Sequence, residues 1–220
     1  MNELVDPTEM YLRTIWELEE EGIAALRARL VERLHLSAPS VSETISRLAE
    51  EGLVTVGENR VLSLTEEGRR QAVSVMRKHR LAERLLTDVI DLDWAYVHTE
   101  ACRWEHVVSS RVENRLVRLL NRPERDAHGN PIPGLGEGPQ RSDLHALHEV
   151  VDSRALIVER LSEYLQSDEP LMAALDAAGM RPTAKIEAHA DAGGGVVLQR
   201  EGAEVRLTTD QAHLVYVRSA

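Results

Sequence analysis

The chain's only cysteine lies in His98-Thr-Glu-Ala-Cys102-Arg-Trp-Glu105-His106, which spaces imidazole, thiolate and carboxylate groups three and four residues apart. On a helix such positions share a face. His98, Cys102 and either Glu105 or His106 are therefore expected to form one stripe able to hold a metal ion. Upstream, His79 and Glu83 repeat the i, i+4 spacing in another helix-forming stretch, Met76-Arg-Lys-His-Arg-Leu-Ala-Glu83. Each set has an ordinary reading when taken alone. A lone cysteine is commonly buried as a small apolar group, and a His/Glu pair one turn apart can be an exposed charge pair worth a few tenths of a kcal/mol. Two such sets on neighbouring helices favour metal. The mixed donors suit Fe(II), Co(II), Ni(II) or Zn(II) and argue against calcium or magnesium, which take oxygen ligands. A closed structural zinc site would use paired Cys-x2-Cys units, which the sequence lacks.

The elements that must position these groups can be read along the 220 residues. Asp6-Pro7-Thr8-Glu9 has the order of a helix start, with Asp6 as N-cap, and Tyr11, Leu12, Ile15 and Leu18 recur at helical spacing. A short amphipathic helix over residues 26–34 is followed by a turn at His35-Leu36-Ser37. Ser37 then caps a helix from about Ala38 to Glu51, with Pro39 tolerated in its first turn. Its apolar stripe is Val41, Ile45 and Leu48, and its polar face offers Pro39, Ser40, Glu43 and Arg47. Two short strands around Gly57-Glu-Asn complete the pattern of a winged helix-turn-helix. A long helix from Thr65 to about Ile90 carries His79 and Glu83. Helices over about residues 94–108 and 109–121 follow, the first bearing the opening motif. Residues 122–152 read as a connector rich in proline and glycine, and the remainder as short strands around one helix near residues 168–178, forming a small β-barrel.

Aromatic residues make up 3% of the chain and phenylalanine is absent, so the core must come from Leu, Val, Ile and Ala, which favours helices. The polar, acidic amino terminus and the lack of a long apolar run predict neither a signal peptide nor a membrane span, and hence a cytoplasmic protein without a membrane partner. A net charge of −11 speaks against nucleic acid. In residues 22–47, however, Arg27, Arg29, Arg33 and Arg47 outnumber Glu32 and Glu43, so weak non-specific DNA binding is expected rather than none.

Four stretches closely resemble the diphtheria-toxin-repressor family, especially the iron-dependent regulators of actinobacteria. They are Glu9-Met-Tyr-Leu-Arg-Thr-Ile15, Val75-Met-Arg-Lys-His-Arg-Leu-Ala-Glu-Arg-Leu-Leu86, Glu100-Ala-Cys-Arg-Trp-Glu-His106 and Gly129-Asn-Pro-Ile-Pro-Gly-Leu135. The likeness is strong over the first 135 residues and weaker beyond. It implies a mainly helical protein with a winged-helix DNA-binding domain (1–73), a helical dimerisation and metal-binding domain (74–140), a linker (141–152) and an SH3-like β domain (153–220). It further implies a homodimeric, metal-activated repressor binding palindromic operators of iron-homeostasis genes, with one or two dimers per operator, and no enzymatic activity. Met10, Cys102, Glu105 and His106 match the family's primary metal site, and His79, Glu83 and His98 its ancillary site. Glu163 and Gln166 match two ligands that the barrel adds to the latter. Arg80 and Asn130 match residues near an anion, although Asp126 stands where a serine is usual. The implied ion is Fe(II), because Met10 and Cys102 replace the carboxylates of the manganese-sensing branch; Co(II), Ni(II), Mn(II) and Zn(II) are the substitutes.

Departures concentrate on the DNA side. The family's iron regulators usually read Ser-Gly-Pro-Thr-Val-Ser-Gln in the recognition helix, where this chain has Ser37-Ala-Pro-Ser-Val-Ser42-Glu43. Glutamate only accepts hydrogen bonds, preferably from cytosine N4, and repels phosphate. Glu50 stands where a phosphate-contacting Arg is common and Pro7 replaces a usual Thr, while Arg27, Arg47 and Arg60 remain. Altered operator preference is expected. The competing readings are a manganese or zinc sensor on the same scaffold, a metalloenzyme using the Cys/His/Glu site, and a metal-independent or iron-binding paralogue that has lost operator recognition. The metalloenzyme is disfavoured because four side chains fill the primary site and no separate general base is evident.

Overall fold

The computed structural model describes residues 7–135, 144–150 and 155–220; Asp6, the expected first cap, and part of the expected linker lie outside them. The chain divides into two compact units, Met1–His79 with Cys102–Ser110, and Arg80–Ala101 with Arg111–Ala220.

The first unit holds α1 (Pro7–Glu20), α2 (Arg27–Leu34), α3 (Ala38–Glu50), β1 (Val54–Val56), β2 (Leu62–Leu64) and the amino-terminal part of α4 (Glu66–Asp88). Its core is built from the periodic positions: Tyr11, Leu12, Ile15 and Leu18 of α1 pack with Leu30, Val41, Ile45, Leu48, Leu62 and Met76. Truncating one of these leucines to alanine costs roughly 2–5 kcal/mol in transfer and cavity terms. The turn between α2 and α3 forms where expected. His35 adopts a left-handed conformation at φ 53°, and Ser37 Oγ accepts from Ser40 N at 3.3 Å to cap α3. β1 and β2 form an antiparallel hairpin with Thr55 opposite Ser63. Gly57 N donates to Val61 O at 2.8 Å across its turn. Where α4 begins, a Cβ on Gly68 would lie 2.0 Å from the Leu53 carbonyl oxygen, so only glycine permits this approach of helix to hairpin. The winged helix-turn-helix is thus present as read.

The second unit contains the rest of α4, a 3-10 turn at Trp94–Tyr96, most of α5 (Val97–Trp104), α6 (Ser110–Leu119) and a carboxy-terminal sheet. Its strands are β3 (His145–Ala146), β4 (Leu156–Leu161), β5 (Lys185–Ala190), β6 (Val196–Arg200), β7 (Ala203–Leu207) and β8 (Val215–Ser219). They pair antiparallel in the order β3-β8-β4-β5-β6-β7, the SH3-like arrangement expected. Alternate residues such as Ile186, Ala188, Leu198, Val205, Val215 and Val217 form its core, which Trp94 joins. Three short helices accompany the strands, α7 (Glu163–Gln166), α8 (Glu169–Ala177) and α9 (Thr209–Ala212), where the sequence suggested α8 alone. β3 falls within the stretch read as linker and pairs with β8.

Two expectations need correction. α5 ends at Trp104, so Glu105 and His106 lie in the turn after it and not on the same helical stripe as Cys102. Part of the proline- and glycine-rich connector is packed interior: Asp126, His128, Asn130 and Ile132 are buried. No helix among the described residues is long and apolar enough to cross a membrane.

Candidate metal centres

In the first unit Cys102, Glu105 and His106 form one cluster, and an arginine not anticipated from sequence holds it together. Arg13, on α1, donates through Nη1 to both Glu105 carboxylate oxygens at 2.8 Å and to Cys102 Sγ at 3.3 Å. Its Nε donates to Glu17 at 2.6 Å. His79 Nδ1 donates to Glu105 Oε2 at 2.6 Å, and His106 Nε2 stands 3.2 Å from Glu105 Oε1. The other face of His106 meets Glu9, with Nδ1 donating to Oε2 at 2.5 Å. Met10 is half-buried and one turn before Arg13, on the same side of α1.

The electrostatics follow from this crowding. Burial would raise the Glu105 carboxyl, but the charge of Arg13 and the hydrogen bonds from His106 and His79 outweigh it and hold the group well below the usual carboxylate range. Burial works against a charged His106 as well, and hydrogen bonds to Glu105 and Glu9 nonetheless raise its imidazole above the ordinary value. Glu105 is therefore a carboxylate with three donors, one of them a full cation. Sulfur, carboxylate and imidazole around a site already held by a positive charge fit a borderline divalent metal.

The second unit gathers Glu83, His98, Asp126 and His128. His98 Nδ1 lies 3.6 Å from Glu83 Oε1, and His128 Nδ1 donates to Glu83 Oε2 at 2.9 Å. Glu163 and Gln166 sit together on α7, as their i, i+3 spacing requires. Glu163 pairs with Arg80, whose Nε donates to Oε1 at 2.8 Å, and Gln166 Nε2 donates to Leu161 O at 2.8 Å. Arg80 also donates to Pro131 O at 2.5 Å and faces Asp126 Oδ2 at 3.6 Å. Asn130 Nδ2 donates to Leu161 O at 2.8 Å. Burial, reinforced by the negative charge of Glu83, pushes the Asp126 carboxyl well above its usual value despite Arg80. Asp126 Oδ2, His128 Nε2, Asn130 Oδ1 and Gln166 Oε1 are among the buried atoms that have no hydrogen-bond partner among the described residues. Such orphans are expected where a further ligand belongs.

On the helix-turn-helix, Ser37, Pro39, Ser40, Ser42, Glu43 and Arg47 are exposed at the start and along the outer face of α3. Arg60 is exposed at the hairpin tip and Arg27 is half-buried. Arg47 is steered by Glu51, to which it donates at 2.8 Å. Sequence reasoning missed Arg13, Glu9 and His128. The spacing of Glu9, Arg13 and Glu17, four residues apart, was the available signal for the first two.

A winged-helix DNA-binding module joined to clusters of Cys, His and Glu side chains defines a metal-dependent transcriptional repressor, a DNA-binding regulator and not an enzyme. Residues 3–62 match the model of the iron dependent repressor N-terminal DNA binding domain, and residues 65–134 that of the iron dependent repressor metal binding and dimerisation domain. The chain belongs to the iron dependent repressor family. It is 52% identical to the iron-dependent repressor IdeR of Mycobacterium tuberculosis, across 99% of each chain. It is 47% identical to the diphtheria toxin repressor of Corynebacterium diphtheriae, again across 99% of each. Among solved structures it resembles a manganese-dependent transcriptional repressor in complex with manganese, with a TM-score of 0.82, 33% identity and coverage of 97% of this chain and 100% of that one.

Proposed function

We propose that this protein is an Fe(II)-activated homodimeric repressor that acts in the cytoplasm on palindromic operators of iron-homeostasis genes. The observation that carries this reading is Arg13, an α1 residue whose guanidinium sits on the carboxylate and sulfur of the metal-ligand cluster. Cys102, Glu105, His106 and Met10 would hold the ion, with His79 supporting Glu105. A divalent ion held there would supply the positive charge that Arg13 provides in this structure, so Glu105 and Cys102 could release Arg13 and Met10 could anchor α1 instead. Because α1 packs directly on the core that seats α3, a change at Arg13 reaches the recognition helix through buried side chains. Binding can shift this equilibrium only by its difference in affinity for the two arrangements. Glu83, His98, Glu163 and Gln166, all of the second unit, would serve a second centre.

Sulfur donors and the names of the mycobacterial relatives favour iron. A manganese-responsive reading is kept by the manganese-bound neighbour. Pairing of two chains is supported by the match to a dimerisation domain and by the exposed apolar side chains of Val89, Ile90, Val112 and Leu119. Ser37, Pro39, Ser40, Ser42, Glu43, Arg27, Arg47 and Arg60 are the proposed DNA contacts, with Glu43 altering base preference. The test is anaerobic fluorescence anisotropy on genomic fragments, including the protein's own promoter, with Fe(II), Mn(II), Zn(II) or chelator. Binding that appears with Fe(II) and disappears with chelator is expected; metal uptake without DNA binding would overturn the proposal.

A further inference from the structure

The second cluster contains more than the residues assigned to it above. Glu83, Asp126 and His128 each offer a ligand atom, and these atoms all lie within 4.8 Å of one another. All three side chains are buried, His128 and Glu83 with no exposure at all. The loop that carries Asp126 and His128 is tightly specified. Asp126 Oδ1 accepts from the backbone amides of His128 and Asn130, both at 2.8 Å. That commitment fixes the carboxylate and leaves Oδ2 without a hydrogen bond. Gly129, at φ 89°, closes the loop against β4, where a Cβ would stand 2.0 Å from Glu159 O. Trp94 lies on the His128 ring at 4.8 Å between centroids and donates to Ala127 O at 3.0 Å. The imidazole is thus held in place before any ligand arrives.

Three carboxylates meet in this pocket: Arg80 pairs with Glu163 and, at 3.6 Å, with Asp126, and the charge of Glu83 acts on Asp126. A divalent cation bound by two carboxylates and one imidazole would offset the repulsion between Glu83 and Asp126 and give Asp126 Oδ2 a close partner. Oxygen and nitrogen donors without sulfur select a harder ion than the Cys102 cluster does, of the Mn(II) or Fe(II) class.

We propose that Glu83, Asp126 and His128 form a divalent-metal site in this chain, with Asp126 and His128 as ligands that the family likeness does not supply. The inference rests on the reading of the protein as a metal-dependent repressor with a second centre, whose Glu83 it shares. The probe is Mn(II), measured by equilibrium dialysis on the full-length apo-protein, comparing wild type with Asp126→Asn, His128→Gln and Cys102→Ala. Asp126→Asn retains an Oδ1 acceptor for the two backbone amides, so it preserves the loop should His128→Gln fail to fold, and circular dichroism of the apo forms checks this. Asp126→Asn and every folded His128 variant should lose one Mn(II) equivalent per chain, or bind it at least about tenfold more weakly. Wild-type stoichiometry and affinity in the folded Asp126→Asn protein would overturn the proposal. The Cys102→Ala protein separates the two readings. If it binds Mn(II) as wild type does, the first centre's ligand set is wrong, while the two second-unit variants still decide this site.

Discussion

The Cys102/Glu105/His106 cluster and the Glu83/Asp126/His128 cluster both gather buried carboxylates near an arginine, but they balance charge in opposite ways. In the first, one carboxylate receives Arg13, His79 and His106, and its proton affinity falls. In the second, Arg80 pairs with both Asp126 and Glu163, and burial with the charge of Glu83 raises the proton affinity of Asp126. In the first cluster a cation already sits on the carboxylate, so metal bound there as proposed would exchange one cation for another, the property a switch needs. In the second, burial and a neighbouring carboxylate oppose the charge on Asp126, and the proposed metal ion would offset that repulsion. Arginine near carboxylate is thus no measure of whether a site is satisfied; the number of donors per charge decides.

Neutralising the two carboxylates should move stability in opposite directions. Glu105→Gln leaves the buried Arg13 guanidinium without its carboxylate and should destabilise the apo-protein by about 3 kcal/mol, read from chemical denaturation. An unchanged midpoint would mean that Glu105 is not held as described. Asp126→Asn removes a carboxyl whose charged form burial and Glu83 disfavour and should stabilise the apo-protein by about 2 kcal/mol, each kcal/mol raising Tm by about 2–4 °C. A lower Tm would erase the contrast between the two clusters.

The pH dependence sharpens the same comparison. The Glu105 carboxyl has a depressed folded value, so its contribution is fully present above the ordinary 4.5 and is lost as pH falls through the folded value. The Asp126 carboxyl has a raised one, so its favourable contribution is present below the ordinary 3.8 and is lost as pH rises through the folded value. The stabilisation by Asp126→Asn should accordingly vanish in acid and grow toward neutrality, as thermal melts across that range will show. An advantage independent of pH would contradict the charge argument. The smallest expected effect lies outside both clusters: Glu43→Gln should shift the relative affinity for adenine-containing over cytosine-containing sites by about 1 kcal/mol. Metal titrations of that variant should match wild type; a changed metal affinity would tie the recognition helix to the clusters more tightly than proposed.

Much of this architecture is legible in the sequence because local rules agree with one another. The α1 stripe, the Ser37 cap and the Gly57 hairpin each carry their own pattern, and the candidate ligands Cys102, His79 and Glu83 show their spacing directly. The end of α5 at Trp104 does not, since no proline or glycine marks it and Glu105 and His106 continue a helical pattern. Arg13 was hidden because an arginine beside acidic residues on an amphipathic helix reads as a solvated face. Asp126 and His128 were hidden by their setting: a stretch rich in proline and glycine suggests a connector, whereas here Gly129 provides close packing and the Asp126 side chain organises a buried loop.

If metal at the Cys102 cluster controls DNA binding, Cys102→Ala removes the sulfur ligand on which that control depends. Anaerobic fluorescence anisotropy on an operator fragment bound by wild type, with Fe(II) titrated from chelator to saturation, should show the variant losing metal-dependent affinity by more than about 100-fold, beyond the 10–100-fold typical of supporting residues, while remaining a dimer. A variant that still binds DNA in the wild-type, Fe(II)-dependent manner would mean that Cys102 does not hold the activating ion.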